Sequence, residues 1–193
     1  MKTARRQTLI VLTFVCAVTL IAMLPVGQAW AQSSDPAIGK WELNLAKSQF
    51  HPGPAPRAQT RTYEILAAVR KLRVAGVDAE GKAIVVEFPV PYGTGVVRMT
   101  AKEIDAEGKP TLMEYTAIYD GKDYPFIGNP NADTISLKRI DDFTVEATTK
   151  KAGKVVSTGR RVISTDGKVM TIAFKGTNAK GQTVNNTLVF DKR

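Results

Sequence analysis

Lys154-Val-Val-Ser-Thr-Gly-Arg-Arg-Val-Ile-Ser164, then Thr165-Asp-Gly-Lys168, then Val169-Met-Thr-Ile-Ala-Phe-Lys175 read as strand, turn and strand. The flanking runs alternate β-branched or aromatic residues with polar ones, which is the period of a half-buried strand. Gly167 can take the positive φ that closes a tight hairpin, and Lys168 restarts the ladder. The same grammar recurs at Asp78-Ala-Glu-Gly-Lys82, Asp105-Ala-Glu-Gly-Lys109, Lys151-Ala-Gly-Lys154 and Asn178-Ala-Lys-Gly-Gln182.

Working outward from these turns, candidate strands are Gly39–Asn44, Gln59–Leu66, Lys71–Val77, Ala83–Phe88, Gly95–Glu103 and Thr111–Tyr119. Thr134–Ile140, Phe143–Thr149, Lys154–Ser164, Lys168–Lys175 and Gln182–Asp191 complete the set. Helical periodicity is nearly absent, so the fold class is all-β, an antiparallel meander of about ten strands. An open meander of that length leaves two unpaired edges, so closure into an up-and-down barrel is the favoured arrangement, with a two-sheet sandwich as the alternative. Ile65, Leu66, Val69 and Leu72 also fit a helical stripe, which keeps a helix over Ile65–Val74 open.

The first 31 residues carry a different pattern. Lys2, Arg5 and Arg6 lead into an apolar run from Leu9 to Leu24, then Pro25, Gly27 and Ala29-Trp30-Ala31, the order of a secretory signal peptide cleaved after Ala31. An uncleaved membrane anchor is the competing reading, but Pro25 and Gly27 interrupt the run early. Cys16 lies in mid-run, so it reads as filler and not as a lipid attachment site. Arg5-Arg6 faintly resembles a twin-arginine signal, though Thr8 stands where an aromatic is usual. The expectation is an exported periplasmic or secreted protein with no transmembrane segment after cleavage. Residues 32–38 then form a short linker and 39–193 a single barrel domain.

Beyond the leader there is no cysteine, so neither a disulfide nor a catalytic thiolate is available there. His51 is the only histidine and sits in His51-Pro-Gly-Pro-Ala-Pro56, without partners for a Ser-His-Asp relay or a zinc site. The sequence implies no cofactor and no metal site. Of 27 basic residues the leader holds three and of 18 acidic ones none, leaving 24 against 18, or +6. That excess suits weak contact with anionic envelope components. The basic residues are scattered pairs such as Lys138-Arg139, Lys150-Lys151 and Arg160-Arg161 among strand residues, which reads as a solvated face and not as a nucleic-acid surface.

Val77-Asp-Ala-Glu-Gly-Lys82 recurs 27 residues later as Ile104-Asp-Ala-Glu-Gly-Lys109, aligning Glu87 with Glu114, Phe88 with Tyr115 and Tyr92 with Tyr119. A local duplication and convergence on one good turn are both open. If Glu87 and Glu114 faced each other, the pair could act as acid and base in glycoside cleavage. Between Tyr119 and Thr134, Asp120-Gly-Lys-Asp-Tyr-Pro-Phe-Ile-Gly-Asn-Pro-Asn-Ala-Asp133 reads as a long rim loop, making Lys122, Tyr124 and Phe126 ligand-contact candidates. The alternative has Tyr124 and Phe126 plugging the barrel end. Asp120, Asp123, Asn129, Asn131 and Asp133 supply oxygens, but their spacing misses that of a calcium-binding EF-hand.

Gly39-Lys-Trp41-Glu-Leu-Asn44, followed by the ladder of short strands, resembles the lipocalin and fatty-acid-binding (calycin) superfamily. That pattern with Asn44-Leu-Ala-Lys-Ser48, Asp120-Gly-Lys-Asp-Tyr-Pro125 and Asp133-Thr-Ile-Ser-Leu-Lys-Arg139 is similar to a group of small exported bacterial proteins of uncharacterised function. The calycin resemblance implies that Trp41 closes one barrel end and that the interior holds a small apolar or amphipathic ligand. The chain departs from it by lacking an Arg-x-Tyr pair on its last strands, ending Leu188-Val-Phe-Asp-Lys-Arg193. Its Arg-x-Tyr is Arg61-Thr-Tyr63, on an early strand. Arg61 and Tyr63, joined by Tyr115, are the candidate ligand-binding residues, with an outward-facing Arg61 as the alternative. Three readings of function remain: a small hydrophobic or amphipathic ligand bound in the barrel, an envelope interaction protein using its basic surface, and a carboxylate-based hydrolase.

Overall fold

The computed structural model describes residues 35–66, 71–77, 83–89 and 95–193. Among these, twelve strands alternate with short turns: β1 Gly39–Leu43, β2 Ala58–Leu66, β3 Lys71–Val77, β4 Ala83–Pro89, β5 Val96–Ile104, β6 Pro110–Ala117, β7 Asp120–Ile127, β8 Thr134–Arg139, β9 Thr144–Lys151, β10 Lys154–Ile163, β11 Val169–Thr177 and β12 Thr183–Lys192. A 3-10 turn, Leu45–Lys47, follows β1, its first amide turn capped by the Asn44 side chain. Ten of the strands close into an antiparallel barrel in the order β1-β12-β11-β10-β9-β8-β7-β6-β5-β2. Closure lets every barrel strand pair on both sides, which removes the edges an open meander would expose.

The turn chemistry works as its residue types dictate. Gly108, Gly153, Gly167 and Gly181 all have φ between 70° and 92°, the left-handed region that side chains resist. The corresponding Gly81 lies outside the described residues.

Two expectations require correction. The segment Asp120–Asp133 is not all loop, because Asp120–Ile127 forms β7. Its pattern escapes alternation because Asp120 to Asp123 are exposed and polar, its ladder with β6 involves only Glu114↔Ile127 and Tyr115↔Phe126, and its register with β8 slips between Asp120 and Asp123. Of the helix left open over Ile65–Val74, the described residues are strand: Ile65 and Leu66 end β2 and Lys71 begins β3, while residues 67–70 lie outside the described set. The expected closed antiparallel meander of about ten strands is present, with β2 passing its ladder to β5 while β3 and β4 pair with each other in a two-stranded sheet. Finally, residues 35–38 are more than a linker: Ala37 is fully buried and Asp35 nearly so, both built into the barrel's closed end.

The inward face is set by period-2 alternation. Tyr63, Met99, Tyr115 and Phe126 are successive cross-strand partners from β2 to β7. Val145, Arg161, Ile172 and Leu188 form a comparable row from β9 to β12. At the closed end Trp41 is fully buried with Phe190, Met170, Ile163 and Ile118, and its indole donates to the Ala37 carbonyl at 2.7 Å. Trp41 therefore seals that end, satisfying its one polar atom while removing a large apolar ring from water.

Candidate functional site

Small residues on the inner wall leave the barrel unfilled. Ala147, Gly159 and Phe174 are consecutive partners across β9, β10 and β11, and a Cβ at Gly159 would lie 2.7 Å from the Phe174 Cβ, so the glycine makes way for that residue beside it. The result is a cavity of about 500 Å³ reaching from the barrel floor to the loops at the opposite end. Met113, Phe126, Ile135, Leu137, Val145, Ile172, Phe174 and Leu188 give it apolar walls. Pro52, Pro54 and Pro56 of the β1–β2 loop, the Asp105–Glu107 turn and the Asn129–Ala132 turn surround its outer part. The volume lies within the roughly 300–1,000 Å³ of small-molecule sites.

The floor is polar. Tyr63 is 2 % exposed, Tyr115 4 % and Arg161 6 %, and all three line the cavity with Arg61. The Arg61 guanidinium lies over the Phe190 ring at 5.2 Å and its Nε donates to Gln59 Oε1 at 3.1 Å. Gln59 in turn donates to Glu103 on β5. Arg161 lies 5.0 Å over the Tyr63 ring and 5.6 Å over that of Tyr119. Its Nη2 donates to the Tyr119 hydroxyl at 3.0 Å and stands 3.7 Å from Asp35, while its buried Nε has no hydrogen-bond partner among the described residues.

Beneath the floor, Asp35 collects several donors. Its carboxylate accepts from the Ala37 amide at 2.9 Å, from Arg139 Nη2 at 2.9 Å and from the Tyr119 hydroxyl. Burial alone would raise the Asp35 pKa, but Arg161, Tyr119, the Ala37 amide and Arg139 together hold it below the usual carboxylate range. Burial acts the same way on Tyr63, and there too the guanidiniums of Arg61 and Arg161 prevail, lowering the phenol. Tyr115 is pushed well above its ordinary value by burial and by neighbouring Tyr63, so it remains a hydroxyl donor.

The structure brings together Arg61, Tyr63, Tyr115 and Phe126 from the sequence-derived candidates. Arg61 faces inward, which removes the outward alternative, and Phe126 packs edge-on to Tyr115 with ring centroids 5.6 Å apart. Two candidates lie elsewhere. Lys122 is exposed beside Asp120, 3.5 Å away, within the register slip of β7 against β8. Tyr124 is buried in the core beyond the cavity lining, aligned with Ile135 of β8. The Glu87–Glu114 pairing also fails: Glu87 is opposite Arg73 in the two-stranded sheet, whereas Glu114 is opposite Thr100 and Ile127 in the barrel. The loop oxygens are engaged in local structure, Asp133 with Lys151 and the Ala152 amide, Asp123 with Lys150, and Asn131 with the Ala179 amide. No helix among the described residues is long and apolar enough to cross a membrane.

Sequence reasoning missed Arg161, Asp35, Arg139 and Tyr119. Arg160-Arg161 reads as a surface pair, but consecutive strand residues must face opposite sides. Arg160 is the outer one, paired with Glu146 at 2.7 Å. Neighbouring Val162 and Ile163 are both apolar, so alternation offers no parity by which to place Arg161 inside.

Compared with known proteins, the chain matches no family model and no curated sequence, so the functional reading rests on the geometry.

Proposed function

We propose that this protein is a non-enzymatic carrier or sensor that holds a small hydrophobic or amphipathic molecule inside its barrel. The observation that supports this reading is the cavity of about 500 Å³ in a barrel whose length and width would otherwise be taken up by packed side chains. Its apolar walls would gain burial on both surfaces when a hydrocarbon body enters, at about 25 cal/mol per Å² removed from water. The signal-like leader supports an exported protein that meets its ligand outside the cytoplasm. The Trp41 seal at the floor and the proline-rich loop at the other end support entry from the loop side.

Native mass spectrometry of protein purified without detergent from its export compartment tests this directly. A discrete added mass lost on denaturation supports the carrier reading. A clean apo mass, together with no uptake of the neutral apolar fluorophore N-phenyl-1-naphthylamine, would refute it.

A further inference from the structure

The cavity offers more than apolar volume, because its floor is lined by charge. Building on the carrier function, we propose that the bound molecule enters head first and carries an oxyanion, a carboxylate or a phosphate monoester. That head group is seated on the barrel floor against Arg161 and Arg61, with the Tyr63 and Tyr115 hydroxyls completing its hydrogen bonds.

The first argument is an unmet donor. Arg161 is 6 % exposed, yet its Nε–H has no partner among the described residues, and a buried charged donor left without one is costly. Its Nη2 is already committed to Tyr119 and faces Asp35, so the unmet donor is a separate valence of the same group. That atom is itself out of reach of solvent, so an entering anion would meet the rest of the Arg161 guanidinium, which lines the cavity with Arg61.

The second argument is charge. Arg61 and Arg161 line the floor and Arg139, partly exposed, lies beneath it; Asp35 is the carboxylate engaged with Arg139 and Arg161. Glu103 lines the cavity nearer the loops and accepts from Gln59. Counting both carboxylates, these groups still carry one net positive charge. A neutral head group would leave it uncompensated, whereas an oxyanion forms charge-assisted hydrogen bonds with it. The lowered Tyr63 phenol reports the same positive field.

The Phe190 ring lies 5.2 Å from the Arg61 guanidinium and the Tyr63 ring 5.0 Å from that of Arg161, which restrains both cations beside the cavity they line. Ile135, Leu137, Val145, Phe174 and Leu188 line the cavity around this floor, matching a hydrocarbon body behind a charged head.

The test is displacement of N-phenyl-1-naphthylamine by decanoic acid, decyl phosphate and decanol, all below micelle-forming concentrations at neutral pH. At least one of the two anions should displace at a concentration about tenfold or more below that of decanol; which one does so separates a carboxylate from a phosphate. Arg61→Met should bring the better anion to within about threefold of decanol measured on the same variant, and Tyr115→Phe should reduce the advantage. Arg61 has no ion pair to lose among the described residues, so this variant keeps the test informative where Arg161→Met fails to fold. Equal displacement by all three compounds, or an anion advantage that survives Arg61→Met and Tyr115→Phe, overturns the proposal and leaves the carrier reading standing. Failure of the fluorophore and all three compounds to bind overturns both.

Discussion

Asp35 shows how much one side chain can organise. It joins the chain just before β1 to β8 through Arg139, to β10 through Arg161 and to the β6–β7 turn through Tyr119. Replacing it leaves the buried Arg161 and the partly exposed Arg139 short of a partner, so Asp35→Asn should lower stability at neutral pH by about 3 kcal/mol, read by urea denaturation. The pH dependence has a definite sign. The folded carboxyl titrates below its ordinary value of 3.8, so its contribution is complete above that pH and is lost as pH falls through the lower folded pKa. The wild type and Asp35→Asn should therefore converge in acid; a constant difference down to the lowest pH at which both fold would refute the assignment. Trp41 makes a simpler case. Trp41→Phe retains an apolar plug but loses the bond to the Ala37 carbonyl and some volume, and should cost about 1–2 kcal/mol. An unchanged unfolding midpoint would mean that the indole does not seal the barrel.

At the scale of elements, the hairpins are readable because each turn needs a residue type that the chain displays openly. Gly167 at φ 70° closes β10–β11 with open space where a Cβ would go. Gly128 at φ 73° is different, because a Cβ there would lie 2.0 Å from the Leu112 carbonyl oxygen, at the short ladder that β7 makes with β6. Gly167→Ala should cost about 1–2 kcal/mol from backbone conformation alone. Gly128→Ala should cost clearly more, since backbone must move as well, and equal losses in the two variants would contradict the close approach. The same strand explains why the Asp120–Asp133 segment reads as loop in the sequence. Its outer residues are polar because they face water, and most of its pairing is supplied by β8, so no local alternation announces it. The 27-residue echo falls between β5 and β6 of the barrel and between β3 and β4 of the two-stranded sheet, so its likeness does not carry the following strands to one place.

For the whole molecule, the decisive property is that the barrel closes around space. Ala147→Phe should occupy that space against Gly159, abolish uptake of the apolar fluorophore and leave the unfolding midpoint unchanged or raised. Retained uptake would place binding elsewhere. Closed all-β architecture, the barrel strands other than β7 and the turn positions are legible in the sequence, because period-2 alternation and glycine-bearing turns are local properties of consecutive residues. Part of the site is legible too: Arg61-Thr-Tyr63 shows itself by spacing, since residues two apart on a strand share a face. Tyr115 and Phe126 join it across the sheet only through register. Arg161, Arg139, Asp35 and Tyr119 are hidden, because they come from four separate stretches and their meeting depends on which strands become neighbours. By itself, the sequence determined strand and turn, both of which follow from short-range sterics and hydrophobic period. The tertiary structure alone decided that one arginine of a pair turns inward, that its charge is only partly met, and that the walls stop short of filling the centre. Those outcomes are set by closure and register, which sum over the whole chain and leave no signature in any single segment of it.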